Sequence, residues 1–329
     1  MRVRAVLPLV LALTLPFTAA CGSSGDEAGA SGTVVVRIPD PGNDGYLAAA
    51  KKDGSFDAAL KKVHARVQWA GDFPTFAPAA QAINSGSLDL AIGSITSAIA
   101  ALSVKPSFKI FAVIPPDRAG EGIIVKNGSP IKSVADLAGR SVAVGKGGSS
   151  EYLLLKALET FNVPVDKVKR VYLPPGETAA VFGSGKVDAW ATFSTFLAPA
   201  VTGLDARILV DGGQIKSDNY ALWVASNKVL DAHPDVVKAV FGFLKEGSAK
   251  EIADPAAYQN VFTSTGPQAA SGALKDKLVA IREQGEPVKN VEQADVTRFD
   301  SVAKFFLDQK VITAPLEVAQ YTVDVSAAS

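Results

Sequence analysis

The chain has 329 residues, with 33 Lys plus Arg against 33 Asp plus Glu, and zero net charge removes the broad positive field that nonspecific nucleic-acid binding needs. Apolar residues make up 48% and charged residues 20%, which excludes disorder over the whole chain, and the length suits two domains or lobes. One Cys and two His, His64 and His233, exclude an intrachain disulfide framework and a Cys-based zinc site, and leave little material for a metal centre.

Residues 1–21 read as an export signal. Arg2 and Arg4 start it, residues 5–15 are uncharged and apolar, and Ala19 and Ala20 precede the sole cysteine, Cys21. That order is the one a secretory signal uses, and the run is too short for a comfortable membrane span. No later run of about 20 apolar residues occurs. The segment resembles a bacterial lipoprotein signal, in which the cysteine is acylated and becomes the new N-terminus. Thr18 stands where that signal usually carries Leu. The alternative is an ordinary cleaved signal with an unmodified Cys21. Residues 22–32 are small and polar and read as a flexible tether. The expected location is extracytoplasmic, at the outer face of the membrane.

From residue 33 the pattern alternates. Residues 34–38 predict a buried strand, 39–45 a turn, and 46–62 a helix interrupted at Gly54. Strands are expected at 65–69, 88–92 and 108–114, and helices at 76–84 and 95–103. The alternation then restarts, with strands at 141–144, 168–172 and 187–192 and helices at 151–161 and 178–182. Extended segments at 122–126 and 220–225 bracket this second unit and read as crossovers. The expected division is 33–122 for a first lobe, 127–219 for a second, and 224–329 for a mainly helical return to the first. Strand-helix-strand order implies mostly parallel α/β sheets flanked by helices, whose ligands bind beyond the carboxyl ends of the strands. Two lobes with two crossovers suit a hinge-closing trap for a small solute, or equally a rigid α/β enzyme.

Five ordered groups of residues carry a family resemblance. They are Val67-Gln68-Trp69 with Asp72-Phe73-Pro74 and the run 80–89; Gly93-Ser94-Ile95-Thr96; Ser129 to Ser133 with Asp136-Leu137, Gly139-Arg140 and Val142 to Val144; Gly147 to Leu155; and Tyr172 to Pro175 with Thr178 to Ala180 and Gly185 to Trp190. Together they resemble the sulfonate, nitrate and taurine type of ABC-transporter substrate-binding protein. The resemblance implies a two-lobe type II periplasmic-binding-protein fold, capture of a small anionic solute, and delivery to a membrane permease with its ATPase. It implies no cofactor and no catalysis, and a monomer is expected.

Candidate ligand contacts follow. Ser149 and Ser150 come after Gly148 and open a helix, where free N–H groups and a partial positive charge hold anions. Gly93, Ser94 and Thr96 repeat the arrangement on the first lobe, so two helix starts could clamp an oxyanion without a cationic side chain. In each case the plain alternative is a helix cap. Asn43 and Asp44 follow the first strand as wall residues, or only form a turn. Trp69 would cover an organic tail, or pack in the core. The resemblance places Asp188 and Trp190 at the cleft, the alternative being that Asp188 pairs internally and holds its loop. Family members often continue Trp-Asp-Pro-Tyr after that Trp, whereas this chain has Phe193-Ser194-Thr195-Phe196, so Ser194 replaces a carboxylate and an amine-bearing solute is put in doubt. Tyr220 would reach the ligand as the lobes close, or only pack as part of a strand. The competing functions are a lipoprotein sensor and an enzyme on the same fold, such as a thiamine-pyrimidine synthesis protein. Against the enzyme, no His lies beside the cleft motifs and the one Cys is used in the signal.

Overall fold

The computed structural model describes residues 32–104 and 106–326. The leader, Cys21 and the tether up to residue 31 lie outside the described residues, and the fold is that of the unit Val34–Ser329. Its first part runs β1 (Val34–Pro39), α1 (Tyr46–Asp53), α2 (Ser55–Lys61), β2 (Ala65–Ala70), α3 (Phe76–Asn84), β3 (Leu90–Ser94), α4 (Ile95–Leu102) and β4 (Phe108–Ile114). Gly54 divides the long helix expected over 46–62 into two: its φ of 74° is a left-handed turn that glycine adopts without a Cβ penalty.

The second part runs β5 (Glu121–Lys126), β6 (Ser141–Val144), α5 (Ser149–Thr160), β7 (Lys169–Tyr172), α6 (Pro175–Gly183), β8 (Ala189–Phe193), α7 (Ser194–Gly203) and β9 (Ala206–Asp211). The return is β10 (Ala221–Ser226), then α8 (Asn227–Ala232), α9 (Pro234–Ala253), α10 (Gly272–Arg282) and α11 (Gln293–Asp308). Two elements, α7 and β9, go beyond the elements read from the sequence. A proline inside α7, Pro199, masks its helical pattern.

The second sheet has the order β7-β6-β8-β5-β9. β6 pairs in parallel with β7 and β8, while β5 runs against β8 and β9. In the first lobe β1 and β2 pair in parallel, and β10 lies between β3 and β4, antiparallel to both, with Leu222 opposite Gly93 and Val113. The segments 122–126 and 220–225 are thus inner strands. The chain passes between the sheets just before each of them, at 115–120 and 212–220. Their apolar residues explain why: Ile123, Ile124, Val125, Leu222, Val224 and Ala225 are all fully buried, and strands covered on both faces are where such runs belong.

The two sheets of the first lobe, β1-β2 and β3-β10-β4, share apolar cores on two faces, and so does the five-stranded sheet of the second. On the first, Ala91, Leu222 and Val224 meet Ile99 of α4 and Phe299 and Phe306 of α11; Val36, Leu90 and Trp223 meet Phe56 and Leu60 of α2 and Val240 and Leu244 of α9. On the second, Val142 and Val144 face Leu154 and Leu158 of α5, and Ala143 faces the opposite side with Phe182 and Leu197, as strand alternation requires. Among the described residues no helix is long and apolar enough to cross a membrane.

Candidate functional site

The carboxyl end of β3 meets the start of α5 in a cluster of hydroxyls. Ser94 caps α4 and exchanges hydrogen bonds with Ser97 in a capping box. The Ser94 hydroxyl lies 2.9 Å from that of Thr96 and accepts from that of Ser149 at 2.9 Å. Thr96 and Ser149 are 3.2 Å apart. Two serines and a threonine, from helix starts on different lobes, therefore converge on one point.

The two helix starts differ in what they have to offer. At α4 the Ser97 N–H is taken by Ser94, and the Ile95 N–H donates to the Tyr220 carbonyl at 2.8 Å. At α5 the N-cap is Gly148, which supplies no side-chain acceptor, so the first-turn N–H groups keep their attraction for an anion. The loop before α5 is held from behind. Buried Glu151 accepts from the Gly147 N–H at 2.7 Å, the Tyr172 hydroxyl at 2.7 Å and Arg170 at 2.8 Å. The Ser150 hydroxyl accepts from the Gly145 N–H at 2.7 Å. Ser150 therefore fixes the turn, and Ser149 is the serine that reaches the junction. One turn further on, Tyr152 leaves the second lobe and packs edge-on against Phe305 and Phe306 of α11, at 5.6 and 6.1 Å between centroids.

Two residues complete the junction. Asn219 Oδ1 accepts from Thr96 at 2.8 Å and from Ser149 at 3.3 Å, and its Nδ2 donates to Glu121 at 3.0 Å. Sequence reasoning singled out neither Glu121 nor Asn219, which lie just outside the extended segments 122–126 and 220–225. Burial pushes the Glu121 carboxyl up to about 7.

A cavity of about 200 Å³ lies on the same side of the first sheet, lined by the β1–α1 loop, Ile92, Trp223, Glu251 and Arg282. Ile92 and Ser94 are two residues apart on an extended strand, so their side chains leave it on one face. Ile92 is 45% exposed, an apolar floor beside a polar junction. Above it, Glu251 pairs with Arg282 at 3.0 Å and accepts from the Tyr46 N–H at 3.4 Å. The start of α1 thus already carries a carboxylate of the protein's own.

The other expected contacts fall as follows. Asn43 staples a distant loop: Nδ2 donates to the Thr263 and Gln268 carbonyls, and Oδ1 accepts from the Phe262 and Thr263 N–H groups. Asp44 accepts from Asn260 N and lines the cavity. Trp69 is half-buried, 6.0 Å from the Phe56 ring. Gly93 lets the Phe76 ring pass where a Cβ would lie 2.4 Å from it. Asp188 precedes β8 and so sits at the opposite end of the sheet, accepting from the Ser141 N–H and hydroxyl. Trp190 is buried against Phe182. Tyr220 packs on Phe299 and touches the site through its backbone. Ser194 starts α7, and its side chain lies outside the described residues. The structure brings together Ser94, Thr96 and Ser149, and does not bring Asp188 or Trp190 to them.

Known proteins share this fold. The putative aliphatic sulfonates-binding protein of Escherichia coli is 30% identical over 205 residues, which covers 60% of this chain and 64% of the relative. The match thus spans just under two thirds of that protein's length. The solved alkanesulfonate-binding protein SsuA from Xanthomonas axonopodis pv. citri, bound to MOPS, superposes with a TM-score of 0.78 at 23% identity, covering 88% of this chain and 98% of that one. The fold is therefore the two-lobed fold of periplasmic binding proteins. The desulfurization enzyme DSZB shares it more distantly, with a TM-score of 0.61 at 18% identity, 88% of this chain and 96% of the enzyme being covered. The family model described as NMT1/THI5 like matches residues 75–258, a stretch that contains both helix starts of the junction and both inner antiparallel strands, and the chain belongs to that family.

Proposed function

We propose that the chain is the extracytoplasmic solute-binding component of an ABC importer, which captures a small organic sulfonate between its lobes and delivers it unaltered to a membrane permease served by a cytoplasmic ATPase. The observation that carries this reading is the junction itself: three hydroxyls and an uncapped helix start, contributed by both lobes, meet at the carboxyl ends of the strands. Such donors suit an oxyanion whose charge is spread over several oxygens. The exposed face of Ile92 and the adjoining cavity give an organic tail somewhere to lie, in the way small-molecule sites combine apolar lining with few polar groups. The sulfonate ligands in the names of the relatives support the choice of solute class. The chain works as a monomer.

Catalysis is the weaker reading. The Thr96 hydroxyl donates to the Asn219 amide oxygen and that of Ser149 to the Ser94 hydroxyl and the same amide oxygen, none of them a base, so neither is activated as a nucleophile. His64 precedes β2 and His233 caps α9, both away from the junction.

Isothermal titration of the purified chain with aliphatic sulfonates of increasing length tests the binding. Ser149→Ala is expected to weaken that binding by about 1–3 kcal/mol, the cost of a lost hydrogen bond to a charged group. Unchanged affinity in a folded variant would remove Ser149 from the site. Anchoring belongs to the same proposal: acylated Cys21 holds the chain at the outer membrane face through more than one lipid chain. Cys21→Ser is then expected to release the protein into the soluble fraction on cell fractionation, and continued membrane association would refute the anchor.

A further inference from the structure

Glu121 is the first residue of β5, where the chain enters the second sheet, and it is 3% exposed. Its Oε2 accepts from Asn219 Nδ2 at 3.0 Å. The other end of that amide faces the junction, where Oδ1 accepts from the Thr96 and Ser149 hydroxyls. An ionised carboxylate can only accept, so it forces the Asn219 NH2 toward itself and the amide oxygen toward the hydroxyls. In that arrangement the Thr96 proton points at Asn219, and the single Ser149 proton is shared between Ser94 at 2.9 Å and Asn219 at 3.3 Å. A bound anion needs those same protons.

We infer that Glu121 is a positioning residue for anion capture: when it takes up a proton the Asn219 amide reverses, and the reversed amide turns the Thr96 and Ser149 hydroxyl protons toward the solute. This rests on the reading of the junction as an anion seat. A protonated Glu121 donates its O–H to Asn219 Oδ1. The Asn219 NH2 then donates to the hydroxyl oxygens, and the hydroxyls are left to donate to the anion. One proton bound at Glu121 is thereby exchanged for two donors facing the solute.

The surroundings of Glu121 set where this occurs. Asp117 and Arg118, from the connection before β5, push the carboxyl in opposite directions, Asp117 up and Arg118 down. Arg118 donates to the Ser217 carbonyl at 3.0 Å and approaches Asp218, which Arg298 of α11 holds at 2.8 Å. From α5 the Tyr152 hydroxyl accepts from the Asp218 N–H at 3.2 Å. The Ser217 hydroxyl faces the carboxyl and pulls it down, yet Oε1 has no partner of full hydrogen-bond geometry among the described residues. The remaining neighbour is the glycine Gly212, where a Cβ would lie 2.6 Å from Oε1. Burial outweighs the rest and places the titration near 7.

The test uses the full chain, labelled with ¹⁵N, over pH 5.5–8.5. Without added solute, the Asn219 side-chain amide resonance should titrate with a midpoint near 7, and this movement should vanish in Glu121→Gln. With 1-butanesulfonate as the probe, affinity should rise about tenfold from pH 8 to pH 6, the span over which one such group goes from mostly ionised to mostly neutral. Glu121→Gln should bind at pH 8 as the unaltered chain does at pH 6. Asn219→Ala separates the amide reversal from plain repulsion between Glu121 and the anion: reversal predicts that the pH dependence is lost, repulsion that it survives. A motionless Asn219 resonance, or an Asn219→Ala variant that keeps the pH dependence, overturns the inference. A titrating amide in a chain that binds no sulfonate upholds the coupling and counts against the solute class instead.

Discussion

Glu151→Ala is expected to lower the stability of the chain by about 3 kcal/mol and to reduce sulfonate binding with it. Glu151 is 2% exposed and binds three groups at once: Arg170, the Tyr172 hydroxyl and the Gly147 N–H. Removing it leaves a guanidinium with 28% of its side-chain surface exposed without its partner, which places the cost at the lower end of the range for breaking a buried ion pair. It also frees the turn that presents α5, since Gly147 has a φ of 67° and among the described residues no other side chain accepts from its N–H. The solute seat and the fold therefore fail together. Urea unfolding followed by circular dichroism reads the first effect, and titration with a sulfonate reads the second. Glu151→Gln keeps the shape and the acceptor but loses the charge, so its loss should be smaller. A stability change within about 0.5 kcal/mol, the usual range for an unimportant surface site, would show that the carboxylate does not organise the turn.

Glu121→Gln is expected to act in the opposite direction and to stabilise the chain by about 3 kcal/mol at pH 8.5. The carboxyl binds its proton more tightly in the folded chain, near pH 7, than at its ordinary value of 4.5. Folding is therefore most favoured below pH 4.5, and that contribution is lost as pH rises from 4.5 to 7, at about 1.4 kcal/mol for each pH step. Above pH 7 the ionised, buried carboxylate carries the full cost. The amide of Gln has the same shape and no charge, so it escapes the loss. The difference between the two chains should be near zero at pH 4, should grow through the window 4.5–7, and should then level off. Thermal unfolding across that range measures it. A variant less stable than its parent at pH 8.5 would mean that the charge of Glu121 helps to hold the hinge segments together.

Much of this architecture is legible in the sequence because buried strands and amphipathic helices carry opposite periodicities. The runs 34–38, 108–114 and 141–144 lie within observed strands, and Gly54 is visible as a break. The site is legible where a Gly–hydroxyl pair follows a strand, as at Ser94 and Ser149. It is not legible where function depends on the direction of a strand. Asp188 precedes β8 instead of following it, which puts it at the end of the sheet away from the hydroxyl junction, and one step of alternation turns Trp190 into the core. Nor does local pattern show that Glu121 and Asn219 meet, since they are 98 residues apart. α7 was obscured by its internal proline. That β5 and β10 complete sheets is a matter of long-range pairing, which their apolar character permits but does not specify.

The place of β10 also constrains the order of assembly. β3 and β4 flank a gap that β10 fills, and the entire second sheet is encoded between β4 and β10. A nascent chain that has made β3 and β4 holds two apolar edges with no partner, and it must keep them until the ribosome has supplied the return strand. Such late closure makes folding slow and the half-made chain prone to pair with its neighbours.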